Sequence, residues 1–251
     1  MRIGLLADKS ISSFRLKTLS PILVDSSFLI KLAVIDGKPP LSIIQRVIKN
    51  IRRGRGGYIF IMALEELFSK KEYSENSELF CKKNGINFFV TQNLYSPETV
   101  NRIKEYNLDI LLLIGGYNII KEPVLGLTPM GVLSYHHGNM RKYRGMPPGL
   151  WELYNGEKEM GITVQLLAPG LDCGIPIVEK SIAIKPDDNF HKLRNSAMNE
   201  STTMMLDALK KLSDKNFIPA KIEKFGKVYT LPNFRQWLLL NIKLLVRKLN
   251  A

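Results

Sequence analysis

Cysteine is nearly absent: 251 residues hold only Cys81 and Cys173. Two distant thiols make no disulfide framework and have no metal-ligand spacing, so a stapled secreted domain is excluded, no metal is expected, and a reducing compartment is. Acidic residues are also few, with 23 Asp and Glu against 36 Lys and Arg, a formal net charge of +13. That excess favours anionic partners such as nucleotides, RNA or acidic lipid surfaces and does not choose among them. No apolar run reaches the roughly twenty residues that span a bilayer. Met1 leads straight into RIGLLA, Asp8 and Lys9, without the h-region and cleavage site of a signal peptide, and the expected location is cytoplasmic. Glycine is missing from the next loop, ADKSISS, which removes the dinucleotide fingerprint. An α/β sheet here need not hold NAD.

What is present alternates between strand and helix signals. The 45% hydrophobic content suffices for a proper core. Strands are expected at 2–7, 28–35, 85–90, 108–114, 132–136, 162–167 and 175–184. Helices are expected at 13–24, 41–51 and 58–68, from a Ser96 cap through Ile103, after Pro147 and Pro148 around Trp151, and in one long run at 189–212 capped by Asp187 or Asp188. Residues 69–77 read as a charged linker, and Arg52, Arg53 and Arg55 as an anion patch or a solvated helix end. The alternation predicts an α/β fold, a mostly parallel twisted sheet with helices on both faces. After Lys215 the pattern changes: PAKIEKFGKVYTLP reads as a hairpin turning at Gly226, and 234–251 as a basic amphipathic helix. Two units follow, 1–214 and 215–251. The last helix is expected to pack on the domain or on a second copy as a homodimer contact, with a peripheral membrane surface as the alternative.

Chemistry concentrates in GVLSYHHGNMRKYRG at 131–145 and LDCG at 171–174. Alternate strand side chains share a face, so Val132, Ser134 and His136 point together, the last two about 7 Å apart at their backbones. Two of the three histidines are adjacent here. Alone they would read as one structural histidine and an exposed neighbour. They are followed by MGITVQLLAPGLDCG, a strand, a Pro-Gly turn and Asp172 in a tight corner, an order that lets a carboxylate reach back to a histidine on a neighbouring strand. His191 sits early in its helix and reads as exposed.

At these residues the chain resembles the formyltransferase family that uses formyltetrahydrofolate: methionyl-tRNA formyltransferase, glycinamide ribonucleotide formyltransferase and the sugar-amine N-formyltransferases. The shared pattern appears as Ser134-Tyr135-His136, Lys142-Tyr143-Arg144-Gly145, Pro147-Pro148, Gly161-Ile162-Thr163 and Leu171-Asp172-Cys173-Gly174. One departure stands out, Ser134 in the place of the family's catalytic Asn. The resemblance implies a Rossmann-like formyltransferase fold, catalytic His136, Asp172 and Ser134, and a folate held by Ile114, Gly115, Gly116, Tyr117, Asn118, Ile119, Ile120, Pro169, Gly170, Leu171 and Asp172. It places His137, Lys142, Tyr143, Arg144, Gly145 and Pro148 toward the acceptor.

Formyl transfer needs donors for a developing oxyanion, a route for the amine's proton and positioning of two reactants. His136 is the expected donor, with Asp172 orienting the imidazole and accepting the amine proton directly or through water. A serine hydrolase triad lacks its nucleophile elbow. The expected acceptor is a small molecule, a nucleotide-linked amino sugar, because the tRNA enzymes carry a further C-terminal barrel domain. Amino-acid or hydroxylamine acceptors, methionyl-tRNA and a non-catalytic binding homologue are the alternatives, and nucleic acid is not the expected partner.

Overall fold

The computed structural model describes residues 1–39, 42–52 and 73–249. The first half runs β1 (Arg2–Ala7), β2 (Ser10–Ser12), α1 (Ser13–Val24), β3 (Leu29–Asp36), α2 (Ile43–Arg52), β4 (Ser74–Asn76), α3 (Ser77–Lys83), β5 (Asn87–Thr91), α4 (Pro97–Lys104) and β6 (Ile110–Leu113). The second half runs β7 (Val132–His136), β8 (Tyr143–Gly145), α5 (Leu150–Asn155), β9 (Glu159–Leu166), β10 (Ile175–Ala183), α6 (Phe190–Glu200), α7 (Met204–Ser213), β11 (Lys227–Tyr229) and α8 (Phe234–Leu249).

Among the described residues, seven strands form one sheet in the order β10-β9-β7-β6-β1-β3-β5. The run from β7 to β5 is parallel. The antiparallel pairs are β7 with β9 and β9 with β10. This is the mostly parallel α/β sheet the alternation predicts.

Strand parity builds the core on both faces. Leu5, Ala33, Leu112, Leu133 and Tyr135 pack on one side with Phe14 and Leu19 of α1 and Met205 of α7. Leu6, Leu32, Leu111 and Val132 pack on the other with Ile103 of α4. Side chains that share this second face but lie where the apolar run ends are free to be polar, and the candidate site forms there.

Four expectations change. The 219–232 hairpin does not form: β11 pairs in parallel with β8, Lys227 to Tyr143 through Tyr229 to Gly145. Gly226 is not a hairpin turn but a point of close approach, its N–H donating to the Met140 carbonyl at 2.9 Å. A Cβ there would lie 2.3 Å from the Lys142 carbonyl carbon. The long helix at 189–212 is two, α6 and α7, broken at Ser201. The buried Tyr135 hydroxyl enters the break, donating to the Ser201 carbonyl at 2.6 Å and accepting from the Met205 N–H at 3.0 Å. The cap of α6 is Asn189, whose side chain accepts from the Lys192 N–H, while Asp188 accepts from the Lys185 N–H. Within the expected linker, β4 is a strand paired antiparallel with β2. The helix expected at 58–68 and Arg53 and Arg55 lie outside the described residues.

The basic helix forms as α8 and docks one face. Leu240 is buried, Lys243 donates to the Tyr154 carbonyl at 2.7 Å and Arg247 to the Pro186 carbonyl at 3.1 Å. Leu238, Ile242, Leu245 and Leu249, at helical spacing, are exposed. No helix among the described residues is long and apolar enough to cross a membrane.

Candidate active site

Two strands supply the site's floor. Ser134 pairs across the sheet with Gln165, and His136 with Thr163. Parity puts all four polar side chains on the same face, and all four are buried. Thr163 is satisfied locally, its hydroxyl donating to the Gly138 carbonyl at 3.1 Å.

His136 is held at both ring nitrogens. Nε2 lies 2.8 Å from the Tyr143 carbonyl oxygen, and Nδ1 lies 3.4 Å from Asp172 Oδ2. A carbonyl can only accept, so Nε2 carries the hydrogen, and the carboxylate draws a second proton to Nδ1. Burial opposes a charged ring, but Asp172 and the Tyr143 carbonyl outweigh it, and the His136 pKa is raised above its ordinary 6.5.

Asp172 sits in the left-handed region, φ 47°, at the tip of the corner that follows β9. Burial would raise its pKa, yet the imidazolium and two amide donors hold it below the ordinary 3.8. Those donors are the Gly145 N–H at 2.8 Å to Oδ2 and the Gln165 amide at 3.5 Å to Oδ1. Gln165 also accepts from the Gly174 N–H at 3.0 Å, which fixes the end of the corner. Among the described residues Ser134 has only a long contact, 3.4 Å from its hydroxyl to the Tyr135 carbonyl. That hydroxyl keeps donor capacity.

The segments expected to hold a folate flank one apolar cluster. Tyr117, Ile120 and Leu113 pack into it from the end of β6, and Leu167 from the end of β9, just before Pro169. Gly116 has φ 84°, and a Cβ on it would lie 2.8 Å from the Ala7 carbonyl, so the loop lies against the end of β1. The Tyr117 hydroxyl donates to the Val34 carbonyl at 3.4 Å, and Tyr95 donates to Ile119 at 3.3 Å. Gly170 has φ 115°, and Leu171 is 38% exposed. Partly buried Leu113, Tyr117 and Leu167 beside these backbone groups are the kind of apolar and polar surface that a flat heterocycle would need. Asn118, between Tyr117 and Ile119, is exposed.

The residues expected to face the acceptor separate into two groups. Arg144 gathers the site's loops, donating to the Gly226 carbonyl at 2.8 Å, the Leu171 carbonyl at 3.3 Å and Cys173 Sγ at 2.7 Å. Gly145 and Pro148 line a small cavity beside His136. Lys142 and the Tyr143 hydroxyl turn instead to Glu157, at 3.1 and 2.9 Å. The His137 ring leaves this face: it stacks on Tyr135 with centroids 5.5 Å apart and approaches Ser201 Oγ at 3.3 Å. Burial, with the nearby charges of Arg15, His136 and Arg194, lowers its pKa to about 3, so it is neutral.

Three participants escape a reading by motif. Gln165 was legible only as a polar residue inside an apolar strand run, Glu152 as a carboxyl on the helix next to Trp151. Tyr229 arrives through β11: its ring tilts against Trp151 with centroids 5.0 Å apart, and Trp151 Nε1 donates to the Thr230 carbonyl at 3.0 Å. The C-terminal segment is therefore a wall of the site.

Residues 53–209 match the family described as formyl transferase. Methionyl-tRNA formyltransferase from Caldanaerobacter subterraneus subsp. tengcongensis is 32% identical over 170 residues, 68% of this chain and 51% of that protein. The one from Kosmotoga olearia is 33% identical over 132 residues, 53% of this chain and 42% of that protein. The chain spans about half the length of the curated relatives it matches. Glycinamide ribonucleotide transformylase 1 from Symbiobacterium toebii shares the fold with a TM-score of 0.60 at 16% identity, over 89% of this chain and 94% of that one. An N-formyltransferase from Helicobacter canadensis, in complex with folinic acid and dTDP-3-aminofucose, does so with a TM-score of 0.62 at 12% identity, over 97% and 80%. With a family match across more than half its length, this chain belongs to the formyl transferase family.

Proposed function

We infer that this chain transfers a formyl group from formyltetrahydrofolate to a primary amine, and that the acceptor is a nucleotide-linked amino sugar. The observation that carries the reading is the buried His136–Asp172 pair, with Nδ1 and Oδ2 3.4 Å apart at the edge of the parallel sheet. Family membership and the apolar floor at 113–120 and Leu167 support the folate. The folate supplies the formyl carbon when bound.

This chain's residues do the rest. Negative charge develops on the formyl oxygen as the amine adds, and a charged imidazole in a dry site stabilises it strongly. Because both ring nitrogens of His136 already face protein acceptors, the ring acts first through its charge, and Ser134 offers the hydroxyl donor beside it. Asp172 keeps the imidazole protonated and oriented, and is the group placed to take the amine proton directly or through water.

For the acceptor, the net charge of +13 suits a diphosphate. The fold likeness to a structure holding dTDP-3-aminofucose points the same way. The 32% identity to a methionyl-tRNA formyltransferase favours a second reading, methionyl-tRNA as acceptor. The test offers labelled formyltetrahydrofolate with a panel of nucleotide-linked amino sugars, amino acids, hydroxylamines and methionyl-tRNA, and follows label into product. Product from an amino sugar nucleotide alone supports the first reading; product from methionyl-tRNA alone replaces it. No product from any acceptor, with folate bound in a calorimeter, would make the chain a non-catalytic folate-binding homologue.

A further inference from the structure

Glu152 is a carboxyl that the mechanism above leaves unused. It sits on α5, 3% exposed, between the core residues Trp151 and Leu153. Its Oε1 is buried without a hydrogen-bond partner among the described residues. It lines the same small cavity as His136, together with Tyr143, Pro148, Trp151 and Tyr229. That cavity is about 10 Å³, room for one water at most.

A carboxyl buried in an apolar wall costs several kcal/mol if it is charged and unpaired. It persists in a core when it holds its proton or when an opposite charge faces it. The imidazole of His136 supplies that charge. We propose that Glu152 is a second carboxyl partner of His136, in addition to Asp172, and is a positioning residue that adjusts how strongly the imidazole holds its proton.

The groups around Glu152 agree with this role. His136 faces it from β7, Tyr143 and Arg144 line the cavity from β8, Tyr229 does so from β11, and Glu157 follows on the turn after α5. Burial, reinforced by Glu157, lifts the Glu152 carboxyl to about 7 against backbone N–H donation from its own helix start, at Glu152 and Gly149, and the pull of the imidazolium. In return, the Glu152 charge raises His136. Two titratable groups that face each other across one small cavity exchange influence as a unit. As pH rises through neutrality Glu152 ionises, and its charge keeps His136 protonated to higher pH than Asp172 alone would.

The test is a ¹³C and ¹⁵N NMR titration of the full chain without ligand, in wild type and in Glu152→Gln, which removes the charge and keeps the shape. The His136 midpoint is expected to fall by about half a unit or more in the variant. A smaller shift in a folded variant overturns the proposal, because a carboxyl that merely fills space would leave the imidazole alone. If Glu152→Gln does not fold, the wild-type Glu152 carboxyl carbon decides: a midpoint near 7 mirrored in the His136 ring supports coupling, and one near 4.5 overturns it. A kinetic arm rests on the transferase reading. There, Glu152→Gln is expected to lose an inflection near 7 in kcat with KM for the folate unchanged. Absence of formyl transfer in the wild type would sink that reading and leave the NMR result to judge this one.

Discussion

A methyl group on Gly145 would lie 2.1 Å from the Tyr229 carbonyl oxygen, so β8 and β11 run side by side only because residue 145 has no side chain. Gly145 also has φ 89°, and its N–H is the backbone donor to Asp172. Gly145→Ala is expected to destabilise the fold by about 2–4 kcal/mol, from overpacking plus left-handed strain, and to lower transfer more than stability alone explains. Urea denaturation with parallel assays checks it. A variant as stable and as active as wild type would show that β11 does not close on β8 in solution.

The buried ion pair sets a pH window. The His136 pKa is raised above 6.5, so its contribution is full below 6.5 and is lost as pH rises through the folded value. The Asp172 pKa is lowered below 3.8, so its contribution is full above 3.8 and is lost as pH falls through the folded value. Both are complete between those two ordinary values. Asp172→Asn is expected to cost on the order of 3 kcal/mol within that window and less once the pH has risen through the folded His136 value. Thermal melts of both proteins at pH 5.5 and 9 make the comparison. A deficit that does not change with pH would mean that the pair is not ionised.

Ser134 separates two routes to oxyanion stabilisation. If its hydroxyl donates directly, Ser134→Ala is expected to cut turnover by about a hundred-fold with little change in folate affinity, because the bond strengthens mainly in the transition state. A loss under about ten-fold would assign the role to His136 or to water. In that case Ser134→Asn, a larger amide donor at the same place, is expected to raise turnover. His136→Ala is severe on either route. Single-turnover measurements distinguish these outcomes from slow product release.

Tyr135 tests the break between α6 and α7. Its hydroxyl satisfies the Ser201 carbonyl and the Met205 N–H inside the core. Tyr135→Phe leaves the Met205 N–H without this acceptor and the Ser201 carbonyl with only the Met204 N–H, at 3.1 Å, and is expected to cost about 1–3 kcal/mol. Denaturant midpoints measure this, and hydrogen exchange at Met205 should quicken. A neutral substitution would indicate that α6 and α7 repack into one helix.

What could be read in advance followed local rules. Strand parity placed Ser134 and His136 together, and the Pro-Gly corner delivered Asp172, because both depend on neighbours within a few residues. The interrupted helix was hidden because Ser201, Thr202 and Thr203 are only mildly unfavourable in a helix, and the decisive hydroxyl comes from Tyr135, 66 residues earlier. Gly226 looked like a turn for the same reason: what requires a glycine there is the backbone of Lys142. Gln165 and Glu152 carry no motif, and their meaning depends on what surrounds them in space.

The pairing of β8 with β11 also orders the assembly of the protein during synthesis. Arg144 and Gly226 are 82 residues apart, so the wall beside His136 cannot close until the ribosome has released the segment through Tyr229. At the usual pace of about 5–20 residues per second, the sheet has several seconds to form before the wall beside His136 is complete. A nascent chain stalled short of that point would carry the paired histidine and aspartate with one side of their cavity open to water.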